Sequence, residues 1–245
     1  MLSTPQNSPP DGRRSASDEE LATGLASVRQ RIDAAAAQSG RDVRSITLLA
    51  VTKGQPAARI RTALSLGLTQ FGENYLGEAL PKIQALAGTT ASWHFIGRLQ
   101  ANKTRDVAEH FTWVHSVDRL RVAERLSAQR PQQSAPLNIC VQVHIAEDPE
   151  KGGVAPDALL PLLRAIAPLP RLHLRGLMCL LPYEAPEPVQ RACFARLALL
   201  ADAARAAGVP LDTLSMGMSA DLEAAIRAGA TMVRIGTALF GARDS

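Results

Sequence analysis

Ser215-Met216-Gly217-Met218-Ser219-Ala220-Asp221, followed after a helical run by Val233-Arg234-Ile235-Gly236-Thr237, is the stretch whose reading decides the fold. Thr213 to Gly217 suits a short buried strand. Ser219 and Asp221 suit a helix start, because their side-chain oxygens can accept hydrogen bonds from the unpaired first-turn N–H groups. Leu222, Ala225, Ile226 and Ala230 recur at helical spacing, and Gly229 reads as the stop. Met232 to Ile235 is a second short apolar strand, and Gly236-Thr237 follows it. Two strand ends thus open into small or hydroxylated residues with free backbone N–H groups. That arrangement suits a phosphate, although a Gly/Ser turn between a strand and a helix is more often only a turn. Arg234 lies between Val233 and Ile235. A buried, unpaired charge costs several kcal/mol, so this arginine requires a partner, and its position points to function.

The same alternation runs back through the chain. Ser17-Asp18-Glu19-Glu20 signals a helix start, with acids in the first turn. Leu21, Leu25, Val28 and Ile32 mark one face of a helix to about Gly40. Ile46 to Lys53 is a continuous apolar run ending in a lysine, as expected of a strand buried on both faces. Pro56 starts a helix that ends at Gly67. Strands follow at Gln70–Glu73, Trp93–Gly97, Trp113–Val117, Leu137–Ile145 and Leu174–Leu180, with helices between them. With the two strands already described, eight βα units fill the chain. They read as a single (β/α)8 TIM barrel with an extra N-terminal helix, spanning residues 18–245. Residues 1–17, rich in Ser, Pro, Gly and Asn, are expected to be a disordered tail. The rival is an open doubly wound sheet, but no G-x-G-x-x-G follows the first strand.

Composition narrows the function. The chain has 245 residues, 46% of them hydrophobic, which is enough for one large core. Lys+Arg 27 against Asp+Glu 23 is a mild, scattered excess, and aromatics are only 4%. Neither a basic patch nor a base-stacking platform is present, so no nucleic-acid partner is expected. No apolar run is long enough for a membrane span, and no leader segment is evident, so the expected location is the cytoplasm. Cys140, Cys179 and Cys193 lack metal-ligand spacing and read as core thiols of a reducing compartment.

In such barrels the site lies at the C-terminal ends of the strands. Lys53, Glu73-Asn74-Tyr75, Gly97-Arg98, Ser116, His144, Met178, Ser215 to Ser219 and Arg234 to Thr237 fall there. An amine, an amide, two hydroxyl-bearing turns and a guanidinium suit a phosphorylated, ring-bearing ligand. A lysine at a strand tip is ordinarily a snorkelling surface residue. Partly desolvated, it forms Schiff bases with carbonyls. Asn74 taken alone is a turn residue. His94 on an apolar strand reads as a satisfied interior histidine, and the acidic loop of Glu147, Asp148 and Glu150 reads as solvated.

Several segments together resemble one family. They are Leu48 to Lys53, Phe71-Gly72-Glu73-Asn74-Tyr75, Trp93-His94-Phe95-Ile96-Gly97 with Leu99 to Lys103, Leu214 to Ser219, and Val233-Arg234-Ile235-Gly236. Gly176-Leu177-Met178 and Phe240 to Arg243 fit as well. This set is similar to the YggS/PROSC family of pyridoxal phosphate (PLP) homeostasis proteins. The resemblance implies a PLP barrel of fold type III, like the N-terminal domain of alanine racemase. It implies that Lys53 forms the Schiff base with PLP and that Asn74 lies beside the cofactor ring. Ser219, Gly236 and Thr237 would hold the phosphate, and Arg234 would face the pyridine nitrogen, keeping it unprotonated. Gln55 stands where many members carry a second lysine, which puts a transfer role for that lysine in doubt here. Arg98 is also unusual and adds charge at the site mouth. Lys151 lies where the family often has a loop lysine and could take a second PLP, but a surface loop lysine is the stronger reading.

Two classes of function remain. One is a carrier in PLP (vitamin B6) homeostasis, a monomer holding the cofactor without substrate turnover and handing it to PLP-requiring apoenzymes. The other is a fold-type-III PLP enzyme such as an amino-acid racemase, with a Schiff-base aldolase as a weaker third option. Related racemases add a C-terminal β domain, and this sequence stops at Ser245, just after the eighth unit. Neither Tyr75 nor Tyr183 is an evident second acid/base opposite Lys53. The carrier is therefore the expected function, with no catalytic residues and no metal.

Overall fold

A computed structural model describes residues 16–241 apart from 147, 149, 150 and 183. The expected tail therefore falls almost wholly outside the described residues. The described chain enters through α1 (Ala16–Gln38), the first element among the described residues. Eight parallel strands then alternate with helices: β1 (Thr47–Val51), α2 (Ala57–Ser65), β2 (Gln70–Glu73), α3 (Leu76–Ala85), β3 (Ser92–Phe95), α4 (Thr104–His110), β4 (Trp113–Val117), α5 (Leu120–Gln129), β5 (Leu137–Gln142), α6 (Leu159–Ile166), β6 (Leu172–Met178), α7 (Glu187–Ala206), β7 (Thr213–Ser215), α8 (Leu222–Arg227), β8 (Met232–Ile235) and α9 (Thr237–Phe240). The strands lie in sequence order and close into a barrel, β8 pairing with β1 through Leu48↔Val233 and Ala50↔Ile235. The (β/α)8 TIM barrel is the observed architecture.

The strands form because they are short apolar runs whose outward side chains meet amphipathic helices. Phe71, Phe111, Phe194, Leu126, Leu163 and Ile166 fill that outer layer. The apolar stripe of α1, Leu21 through Ile32, is buried over α8 and α9. Gly24 permits the approach, since a Cβ there would lie 2.8 Å from the Ala238 carbonyl. A small apolar group, Leu49, Val51, Ile96 and Met232, stands apart from that layer. Much of the remaining interior is polar, including His94, His115, Ser215 and Arg234.

Several boundaries differ from the sequence reading. β1 ends at Val51, so Lys53 sits in the turn beyond it. Pro56 caps α2 rather than opening it. β5 stops at Gln142; the Val143 N–H makes a last bond to the Met178 carbonyl of β6, and Val143 then bridges Val154. Asp221 does not cap the first turn of α8. Its carboxylate turns back to accept a hydrogen bond from the Met218 N–H. The Ser219 hydroxyl likewise faces the other turn, accepting from the Ala238 N–H at 3.4 Å. The three cysteines are buried and form no disulfide. Burial pushes the Cys140 and Cys179 thiols up to about 12, so both are inert.

Candidate functional site

At the C-terminal rim, the turn that carries Lys53 is held from both sides. Thr52 before it is fully buried; its hydroxyl donates to Glu73 Oε1 at 2.6 Å and its carbonyl accepts from Lys82 Nζ at 2.8 Å. Gly54 after it donates its N–H to Glu78 Oε2 at 2.7 Å. Both anchors belong to α3 and the end of β2. Glu73 thus braces the Lys53 turn through Thr52 rather than facing the barrel mouth. It has the same parity as the outward Phe71, and its carboxylate meets Lys82 at 2.8 Å. Burial raises the Glu73 pKa, against the opposing pull of Lys82 and Thr52.

Asn74, the next residue, is half-buried, and its Oδ1 is buried with no hydrogen-bond partner among the described residues. The chain presses closely here. A Cβ on Gly97 would lie 2.1 Å from the Asn74 carbonyl oxygen, so the second residue past β3 must be glycine. Tyr75 is exposed and Arg98 stands in solvent.

Across the barrel mouth the turns after β7 and β8 meet. Gly217 adopts φ +94, and a Cβ there would lie 2.5 Å from Ala225 Cβ. That conformation swings Met218 and Ser219 toward α9. The Ser219–Ala238 contact joins the two turns and brings Ser219, Gly236 and Thr237 together. Not every first-turn N–H is open to a ligand, because Met218 is bonded to Asp221 and Ala238 to Ser219. The turn after β8 neighbours the turn of Lys53, since β1 and β8 are paired and Gly236 lies against Val51.

Arg234 is 4% exposed. Its partners are uncharged: Nη1 donates to the Ser215 carbonyl at 2.5 Å and the Ser215 hydroxyl at 2.9 Å, and Nη2 donates to the Cys179 carbonyl at 2.8 Å. Three of its five N–H bonds are used, and no carboxylate bonds it among the described residues. Burial lowers its pKa, and the surroundings of Cys179 and Asp221 oppose that shift. An arginine remains charged all the same. Asp221 is buried too, and burial raises its pKa against the Met218 N–H and Arg234.

The sequence reading passed over His115. It lies on the interior parity of Trp113-Val114-His115, and that alternation was the available signal. His94 is the interior histidine expected, bonded to His115 at 2.9 Å and to Gln70 at 2.8 Å. His144 stands apart, bonded to the Asp148 carbonyl at 2.9 Å. Ser116 Oγ is buried without a partner among the described residues. Lys151 lies 4.0 Å from Asp148, while Glu147 and Glu150 fall outside the described residues. No cluster of metal-ligating side chains occurs among the described residues, and none of their helices is long and apolar enough to cross a membrane.

Comparison with known proteins places this barrel in a family. The alanine racemase N-terminal domain family matches residues 25–244. A pyridoxal phosphate homeostasis protein of Pseudomonas aeruginosa is 55% identical over 225 residues, covering 91% of this chain and 96% of that one. The Escherichia coli protein of the same name is 51% identical over 229 residues, covering 92% and 97%. The structure of PipY from Synechococcus elongatus with PLP bound superposes with a TM-score of 0.79 at 36% identity, covering 90% of this chain and 100% of that one. An alanine racemase of Clostridium difficile shares the fold alone, with a TM-score of 0.75 at 15% identity, and this chain covers 58% of it. With about half or more of its aligned residues shared across nearly the full length of both curated relatives, this chain belongs to the family of pyridoxal phosphate homeostasis proteins, whose barrel is that of the alanine racemase N-terminal domain.

Proposed function

We propose that this protein binds PLP at the barrel mouth and serves intracellular PLP homeostasis as a carrier. The observation that carries the reading is Arg234, a buried guanidinium with no acid bonded to it among the described residues and two unspent N–H groups, with the joined turns of Ser219 and Gly236-Thr237 following β7 and β8. The residues present fit the group. Asn74 Oδ1 is a buried polar atom without a partner among the described residues, and the joined turns of Ser219 and Gly236-Thr237 neighbour the turn of Lys53 through the β1–β8 pairing. When bound, PLP supplies an electrophilic aldehyde on an electron-withdrawing ring. Lys53 would supply the amine to hold that aldehyde as a Schiff base. Ser219, Gly236 and Thr237 would hold the phosphate through hydroxyls and backbone N–H groups. Arg234 would donate toward the ring nitrogen and keep it from taking a proton, weakening the ring as an electron sink.

The carrier reading gains support from what racemisation requires. It needs a base on each face of the substrate carbon. Lys53 serves one face, and none of the rim residues described above is placed as the second. PLP-requiring apoenzymes are the acceptors, the protein works as a monomer, and its place is the cytoplasm. The test is the absorption spectrum of the PLP-loaded protein before and after borohydride, with peptide mapping. The label is expected on Lys53 and is expected to vanish in Lys53→Ala. A reducible chromophore persisting on the same peptide in that variant, once loading of Lys151 is excluded, overturns the assignment.

A further inference from the structure

Five strands contribute one polar side chain each to an unbroken line through the barrel. Arg234 Nη1 lies 2.9 Å from Ser215 Oγ, which is 2.8 Å from His115 Nδ1. His115 Nε2 is 2.9 Å from His94 Nδ1, and His94 Nε2 is 2.8 Å from Gln70 Oε1. The three central residues have essentially no exposed surface. Barrel interiors are ordinarily filled by branched aliphatic side chains. Here His94 stacks on Trp113, with ring centroids 5.3 Å apart and 7° between planes, which fixes its ring.

The line has a direction, and its ends set it. Arg234 can only donate, and Gln70 Oε1 can only accept. A neutral His94 therefore donates from Nε2 and accepts at Nδ1. His115 then donates from Nε2 and accepts at Nδ1, and the Ser215 hydroxyl donates to it while accepting from Arg234. Every proton on the line has a recipient. The reverse polarity would leave the Ser215 hydroxyl hydrogen with no acceptor among its partners. Buried polar networks of this kind reward complete satisfaction and penalise a single loss.

We propose that Ser215, His115 and His94 form a one-way chain that positions Arg234 against the ring nitrogen of the cofactor, with His115 as the central positioning residue. This rests on the PLP reading above. The chain presents the Ser215 lone pair to Nη1 and so sets the plane of the guanidinium. The two N–H groups left over are then aimed by residues that never touch the ligand.

The test compares wild type, Ser215→Ala and His115→Phe. Three probes are used: PLP, its deaza analogue in which carbon replaces the ring nitrogen, and pyridoxal without phosphate. Melting and near-ultraviolet circular dichroism establish that each variant is folded. Ser215→Ala removes a single oxygen and carries the test if His115→Phe does not fold. Wild type is expected to prefer PLP over deaza-PLP. Both variants are expected to lose about tenfold of that preference, the size of one charge-assisted hydrogen bond. They are also expected to shift the visible band of bound PLP while keeping the preference for PLP over pyridoxal. Imidazole nitrogen NMR of the unloaded wild type is expected to show both rings as neutral Nε2–H tautomers. An unchanged PLP-over-deaza preference in folded Ser215→Ala overturns the proposal, as does an Nδ1–H tautomer at His115. Wild type binding PLP and deaza-PLP equally also overturns it. A wild type that binds neither defeats the cofactor reading itself.

Discussion

Burying two imidazoles beside a guanidinium makes stability depend on pH. Burial lowers the His94 pKa to about 3 and holds His115 well below its ordinary value of 6.5, helped by His94 and Arg234. Below that ordinary value the unfolded chain takes a proton on each ring and the folded chain does not. Their contribution is therefore complete above the unfolded value and lost as pH falls toward the folded values, at about 1.4 kcal/mol per pH unit for each ring. Glu73 and Asp221, raised by burial, act in the opposite sense, losing stability as pH rises. The comparison must therefore be made against a variant. Urea unfolding between about pH 7 and about pH 5 is expected to cost wild type about 2 kcal/mol through His94, with His115 adding in the same direction, and His94→Gln is expected to show the shallower slope. Equal slopes would refute the assignment. At this scale the sequence carried the need for a partner at Arg234 and the interior place of His94. It did not carry the partners themselves, because the carbonyls of Ser215 and Cys179 are backbone atoms brought near by barrel closure. Glu73 was expected at the site because it ends a strand. Parity sends it outward to Lys82 instead.

The strands were legible because parallel strands buried on both faces read as apolar runs. Their ends were less so, since a ladder stops where its partner shifts, as at Val143, and propensity does not record that. The turn after β7 shows the same limit. Gly217 and Ser219 were recognised as turn chemistry, but the direction of the Ser219 and Asp221 side chains depends on α9 and on the φ of Gly217. Gly217→Ala is expected to destabilise the fold by about 2–4 kcal/mol, combining backbone strain with the clash against Ala225. It should also weaken PLP binding by misplacing Ser219. Gly88 has φ +77 but nothing within 4 Å of a Cβ, so Gly88→Ala should cost only the strain, about 1 kcal/mol, and leave PLP affinity intact. Denaturant unfolding and PLP titration of both variants check this. Equal effects on binding would mean that the turn does not shape the phosphate site.

For the molecule as a whole, the carrier reading makes a negative claim that can be measured. PLP-loaded protein incubated with each common amino acid is expected to show spectral shifts without sustained racemisation or carbon dioxide release. Multiple turnover that disappears in Lys53→Ala would overturn it. The fold class was legible because eight repeats of one pattern leave few alternatives, whereas the polar barrel interior was not, since its members are scattered over five strands. The closing pair, β1 with β8, carries a consequence for biosynthesis. Lys53 leaves the ribosome early and the turns of Ser219 and Gly236 leave it much later. On the proposed reading, a growing chain offers the aldehyde an amine but no cradle for its phosphate. A cofactor held at both places would bridge β1 and β8 like a clasp on a bracelet, so capture is expected only from chains folded through β8. A loaded molecule would thereby certify its own barrel closure.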